Sequence, residues 1–290
     1  MGKKKTNRSY RQTANESLDN LLRRCEHLKN NASFIEMLDF IAKFRVYKPF
    51  NNMLVFTQKP TCEFYATQKH WEKVFNRQIK PDSRPMVILA PMHPVLFVYD
   101  AEDTEGGEMP KWDRFFVRVS GTFKEEWYRK LVKECEKIRI DVKNDYLGLG
   151  ESGYITPKEK LKYDIVVNRK DNQVVQFSTL IHELGHLFLG HLEERENEKY
   201  PLRFNLDKRL KELEAESVAY LFLKRLGLDV NSEDYLAIYN VEPKHLQEIS
   251  VDLIVKAVGR IEGMIEPFRM LSIEFEEENV PIGSYQMSLF

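Results

Sequence analysis

Cysteine is scarce: Cys25, Cys62 and Cys135 are the three in 290 residues, far apart and in no CxxC arrangement. An odd, dispersed set supports neither a disulfide framework nor a cysteine-built zinc cluster, and it fits a reducing compartment. Long apolar runs are missing too. Nowhere do 18 consecutive apolar residues occur, so no membrane-spanning helix is expected. The basic start MGKKKTNRSYRQ is followed by no apolar segment of the signal-peptide kind. Together these absences read as a cytoplasmic protein. Met1 and Gly2 open like a myristoylation signal, but with lysine at positions 3 to 5 the match is partial, and residues 1–12 read as a basic tail. There is no internal repeat and no low-complexity tract.

What is present is an ordinary globular composition, 42% hydrophobic, in a chain long enough for two domains of roughly 100 to 150 residues. The net charge of −1 hides an asymmetry. Residues 1–60 carry twelve Lys/Arg against five Asp/Glu, residues 61–100 five against four, and residues 101–290 carry 27 against 36. A basic first third beside an acidic remainder suits a module that meets a polyanion; solvated helix faces would give the same split.

Apolar periodicity predicts helices at 13–30 and 33–45, a short helix at 51–58 after Pro49, and another at 67–75. "RPMVILAP", "VLFVYDAEDTEGG" and "RFFVRVSGTF" (114–123), rich in β-branched and aromatic residues, read as strands. From Lys124 through Ile140 the pattern is helical. "YLGLGESGYITP" reads as a glycine-marked turn into the strand "YDIVVN", and helices follow at about 174–192, 207–226, 231–239 and 244–265. The fold class is α+β: a small basic α+β N-terminal domain at 13–124, then a mainly helical domain at 125–290.

Inside the 174–192 helix stands "HELGH". Residues four apart on an α-helix share a face, within about 40°. His182 and His186 are so placed, and Glu183 follows the first of them. Two neutral imidazoles one turn apart suit one tetrahedral zinc ion, with the glutamate near enough to act as general base. The bare pattern serves equally as a buried helix whose histidines are capped. Gly185 weakens the helix by about 1 kcal/mol relative to alanine, so a packing or access reason is expected for it. His191 lies five residues beyond His186, about 140° round a continuing helix, and reads as a helix-end histidine outside the site.

The third ligand decides between the two readings. In "DKRLKELEAESVAYLFLKRLGL", Glu212 and Glu216 share a face with small and apolar residues, whereas Glu214 points elsewhere and reads as part of a solvated charge run. Two carboxylates on a buried face need a cation or a donor. Zinc held by His182, His186 and Glu212, with Glu216 orienting a histidine N–H, satisfies both; the reverse assignment of Glu212 and Glu216 stays open. Tyr154 and Tyr163, which precede the zinc helix, are candidates for stabilising an oxyanion.

"HELGHLFLGH" followed by "KELEAESVAYLF" resembles the zincin-like metallopeptidase domain of the ImmA/IrrE class, in the version found in ArdC-type antirestriction proteins. "FIAKFRVYKPFNNMLVFTQKPTCEFYATQKHWEKV" is similar to the N-terminal domain of that family, and "FVYDAEDTEGGEMP" to its strand and turn. "EDYLAIYNVEPKHLQEISVDLIVKAVGRI" is similar to its C-terminal helical pair. The resemblance implies an N-terminal domain binding single-stranded DNA, joined to a zinc metallopeptidase that counters host restriction. The residues alone give a compatible picture. Lys43, Arg45, Lys48 and Lys59 are interleaved with Phe44, Tyr47, Phe50 and Phe56, as in a basic groove with stacking platforms, although such aromatics also build cores. Asn51, Asn52 and Gln58 are candidates for contacts to DNA or for helix caps, and Trp71 reads as core. Two functions follow: a peptidase using Glu183 as base, or a non-proteolytic single-strand-binding antirestriction protein whose zinc is structural. A third is a defence or toxin-type protease held inactive by a partner.

Overall fold

The computed structural model describes residues 31–44, 46–90, 95–109, 122–148, 150–159, 161–192, 199–228, 245 and 248–265. The basic tail, the expected helices at 13–30 and 231–239, and all but the last two residues of the expected strand at 114–123 lie outside them. Among the described residues the chain is α+β.

The first half begins with α1 (Asn31–Lys43), which buries Phe34, Met37, Leu38 and Ile41 at spacings of three and four. α2 (Pro49–Gln58) carries proline in its first turn, where a backbone N–H has no helical partner. α3 (Gln68–Phe75) starts at Thr67, whose hydroxyl accepts from the His70 N–H, and stops at Asn76 in the left-handed region. The short strands are β1 (Tyr65–Ala66), β2 (Arg77–Ile79), β3 (Met86–Ile88), β4 (Leu96–Asp100) and β5 (Thr104–Gly106). β4 lies between β1 and β3, antiparallel to both, and β2 pairs with β5. Trp71 is fully buried and donates its indole N–H to the Tyr99 carbonyl.

The second half runs α4 (Glu125–Lys137), β6 (Ile140–Asp145), β7 (Gly153–Glu159), β8 (Lys162–Asn168), α5 (Gln173–Phe188), α6 (Lys208–Leu226) and α7 (Val251–Ile265). β8 is central in a three-stranded sheet, parallel to β6 and antiparallel to β7. The mainly helical half therefore carries two strands beyond the one expected. α4 ends early because the chain passes Arg139 at φ 68 and turns directly into β6. β7 occupies most of the stretch expected as a turn; it is an edge strand, exposed along much of its length, so it lacks a continuous apolar face.

α6 is buried on nearly every side, packing against α5, α7 and α1. It joins the two halves, which share one hydrophobic core. Arg225, at 1% exposure, reaches from α6 to the C-terminal end of α1. Its guanidinium donates to the carbonyls of Ile41 (2.8 Å), Phe44 (2.7 Å) and Tyr47 (3.1 Å) and pairs with Glu262 of α7. Asn52 donates to the same Ile41 and Phe44 carbonyls from the other side, while its own oxygen accepts from the Tyr65 hydroxyl. A buried cation and an amide thus satisfy the orphan carbonyls at the negative end of α1. At the rim, Asp39 accepts from Tyr220 and Lys224.

Removing one partner of a buried, hydrogen-bonded ion pair costs about 3–5 kcal/mol, because the other charge is left unpaired. Arg225→Met is expected to lower the unfolding free energy by that amount in a urea titration. A change below about 1 kcal/mol would contradict the role assigned to Arg225.

Candidate metal centre

α5 is set by its neighbours at both ends. Asn172 caps it by accepting from the Val175 N–H. After Phe188 the chain turns sharply at Gly190, whose φ of 76 is the left-handed value glycine tolerates; a Cβ there would collide with the backbone of Pro201. The reason for Gly185 is packing: a Cβ on it would sit 3.3 Å from the Ala215 Cα and 3.4 Å from the Val218 Cβ. Gly185 therefore lets α5 and α6 approach closely at the level of the site.

The approach brings three candidate ligands together. Nε2 of His182 lies 3.1 Å from Nε2 of His186, and Glu212 Oε2 lies 3.4 Å from the first and 3.6 Å from the second. Among the described residues these three form the group of histidine, cysteine and acidic side chains able to hold a metal ion. Glu216 Oε2 sits 3.0 Å from Nδ1 of His182. In the neutral ring that contact keeps the proton on Nδ1 and leaves the Nε2 lone pair facing the other donors. Two imidazole nitrogens and a carboxylate facing one another, with a fourth direction open to the cavity, fit a divalent cation of the zinc type.

The burial of the acidic residues departs from expectation. Glu212, placed by its helical phase on a buried face, is half exposed at 49% and stands at the mouth of the site. Glu214, expected in a solvated charge run, is fully buried. The reason is that α6 is covered on the far side too. Glu214 accepts two bonds from the Arg203 guanidinium, 2.6 and 2.7 Å, and one from the Ser250 N–H at 2.7 Å. His191 is part of this arrangement: its Nε2 is 3.0 Å from Glu214 Oε2 and its Nδ1 is 3.0 Å from Nδ1 of His186. On a continuing helix His191 would point away from His186, but the turn at Gly190 brings it back, and that glycine is the signal in the sequence.

Glu183 is 7% exposed, and burial pushes its carboxyl up from the ordinary value, against the opposing pull of His182 and His186. The backbone of Ile155 on β7 adds to that pull. The residues border a cavity of about 620 Å³, lined also by Gly153, Tyr154, Ile155 and Lys211. Gly153 is required where β7 passes α5, since a Cβ would meet the Thr179 methyl at 2.5 Å. Tyr154 lines the cavity. Tyr163 does not: it is fully buried in the core, against Tyr200.

The candidate DNA residues are placed differently. Asn51 exchanges two hydrogen bonds with the Leu89 backbone, and Gln58 does the same with Val87. These amides hold α2 to β3 and its extension, and Asn52 caps α1, so all three are engaged inside the fold. Tyr47 stacks on Tyr65 at 4.3 Å, and Phe50 lies half-buried beneath Lys256. Lys48 is exposed, Lys43 is partly covered near the Phe44 ring, and Arg45 lies outside the described residues.

No family model and no curated protein matches the chain. Two solved structures are similar to it, both crystal structures of the antirestriction ArdC protein from the R388 plasmid. The metal-free one is 14% identical, with a TM-score of 0.40 over 78% of this chain and 85% of that one. The Mn(II)-bound one is 15% identical, with a TM-score of 0.42 over 79% of this chain and 86% of that one. No described helix is long and apolar enough to cross a membrane.

The metal-free site has a pH signature. Burial alone would lower the His182 pKa, but the carboxylates of Glu212 and Glu216 outweigh it and raise the value to about 10. The stabilisation is full below the unfolded value of about 6.5 and is lost as pH rises through the folded one. At pH 7.5 an entering cation must displace this proton. Zn2+ binding is expected to release about one proton, read as a calorimetric heat that scales with the buffer's ionisation enthalpy; release near zero would contradict the assignment.

Proposed function

We propose that the second half of the chain is a divalent-metal-dependent peptidase, with zinc as its ion, and that the basic first part brings it to single-stranded DNA. The observation that carries the peptidase reading is the convergence of His182, His186 and Glu212 beside the buried carboxyl of Glu183, at a cavity edged by β7. His182 and His186 would hold the ion through Nε2 and Glu212 through a carboxylate oxygen, with Glu216 orienting His182. A zinc ion held there would supply Lewis acidity to a peptide carbonyl and to a water.

The chain's own groups do the rest. Glu183 accepts the proton of the attacking water and returns it to the leaving amine; a carboxyl whose pKa is raised by burial suits both transfers. Among the described residues β7 is paired on one side only, with β8, so its outer edge presents backbone groups to an extended peptide beside the site. The antirestriction setting follows the sequence resemblance. The DNA role draws on that resemblance and on the excess of Lys/Arg in residues 1–60; with Asn51, Asn52 and Gln58 engaged internally, exposed cations such as Lys48 are the contacts it would use.

Glu183→Gln separates the peptidase from a non-proteolytic protein with a structural zinc. It is expected to keep the metal and the fold while cleavage of a random peptide library, read by mass spectrometry, falls by about 10²–10⁴-fold. Full activity in this variant would sink the mechanism. The same variant should hold a labelled single-stranded oligonucleotide as wild type does, with affinity falling steeply as salt rises. Salt-independent or absent binding would remove the DNA part of the proposal.

A further inference from the structure

We propose that His191 and Glu214 are positioning residues for the ligand His186, an inference that rests on the metal reading above. Nδ1 of His186 lies 3.0 Å from Nδ1 of His191, and Nε2 of His191 lies 3.0 Å from Glu214 Oε2. The far end of this chain is anchored. Glu214 is wholly buried and takes two bonds from Arg203 and one from the Ser250 N–H. The near end is anchored too, because the His191 N–H bonds to the His186 carbonyl at 3.0 Å across the Gly190 turn.

Charge and donor count fix the direction of each bond. Arg203 already balances Glu214, and Lys211 donates to the His191 carbonyl at 3.1 Å, so a further buried cation at His191, 3% exposed, would be uncompensated. His191 is therefore neutral and has one N–H. That proton lies on Nε2, facing the carboxylate, and Nδ1 accepts. Nδ1 of His186 must then donate, which leaves its Nε2 lone pair facing Nε2 of His182 and the Glu212 carboxylate. Each histidine ligand is thus held by a carboxylate behind it: His182 directly by Glu216, and His186 through His191 by Glu214. A His191 that only packed the helix end would carry no such polarity.

The substitutions His191→Leu and His191→Asn separate these roles, because asparagine can place its oxygen where Nδ1 stood and still accept from His186, whereas leucine cannot. Zn2+ affinity of the full chain, measured by competition with a chromogenic chelator, is expected to fall about 10- to 100-fold in the leucine variant and to recover most of that in the asparagine variant. The visible bands of the Co2+-loaded protein should shift in the first and return in the second. Equal weakening in both variants, or none in either, would overturn the proposal while leaving the metal site standing. A wild-type chain that takes up no Zn2+ would overturn the metal reading and this inference with it.

Discussion

The close contact between α5 and α6 at Gly185 and Ala215 is the constraint on which the rest of the site depends. His182 and His186 come from one helix and Glu212 and Glu216 from the other, so the spacing of the two backbones sets the distances between the imidazoles and the carboxylates. A Cβ at position 185 would lie 3.3–3.4 Å from Ala215 and Val218, so the two helices would have to give by a few tenths of an ångström. The conformational cost of a helical glycine is about 1 kcal/mol, small against the cost of losing contact between charged, partly buried partners. Close packing of this kind makes the ligands' geometry a property of the core rather than of a loop.

Around that contact the protein assembles a dense polar cluster of three histidines, four glutamates and Arg203. Such a cluster is stable only if each group has a partner. Arg203 and Ser250 satisfy Glu214, and Glu216 and His182 satisfy each other. What remains is a set of lone pairs converging from His182, His186 and Glu212, and in the absence of a cation a proton on His182 takes the balancing charge. The same logic ties α6 to the first half of the chain, where Arg225 and Asn52 share the last carbonyls of α1. One helix therefore carries both the joint between the halves and two of the carboxylates at the site.

Much of this is legible in the sequence, and the exceptions have physical causes. The phase of Glu212 and Glu216 brings them to the face that meets His182 and His186, because helical periodicity survives any packing. Burial does not follow from phase alone. Glu212 is half exposed because it faces the open cavity beside the histidines, whereas Glu214 is buried because Arg203 and the start of α7 cover the opposite face. β6 and β7 escape a periodicity reading because each is short and half exposed, and β7 mixes proline, lysine and glutamate into an edge. Asn51, Asn52 and Gln58 look like surface recognition groups, yet their amides serve backbone groups of β3 and α1 that are far away in sequence. His191 is hidden by a turn that only Gly190 announces.

The central claim is that His182, His186 and Glu212 hold one divalent ion beside Glu183. Anomalous diffraction at the zinc edge, from crystals of the full chain grown with Zn2+, tests it most directly. The account predicts one strong peak bonded to Nε2 of His182, Nε2 of His186 and a carboxylate oxygen of Glu212. A peak bonded to other residues, or none at this site at full Zn2+ loading, would contradict it.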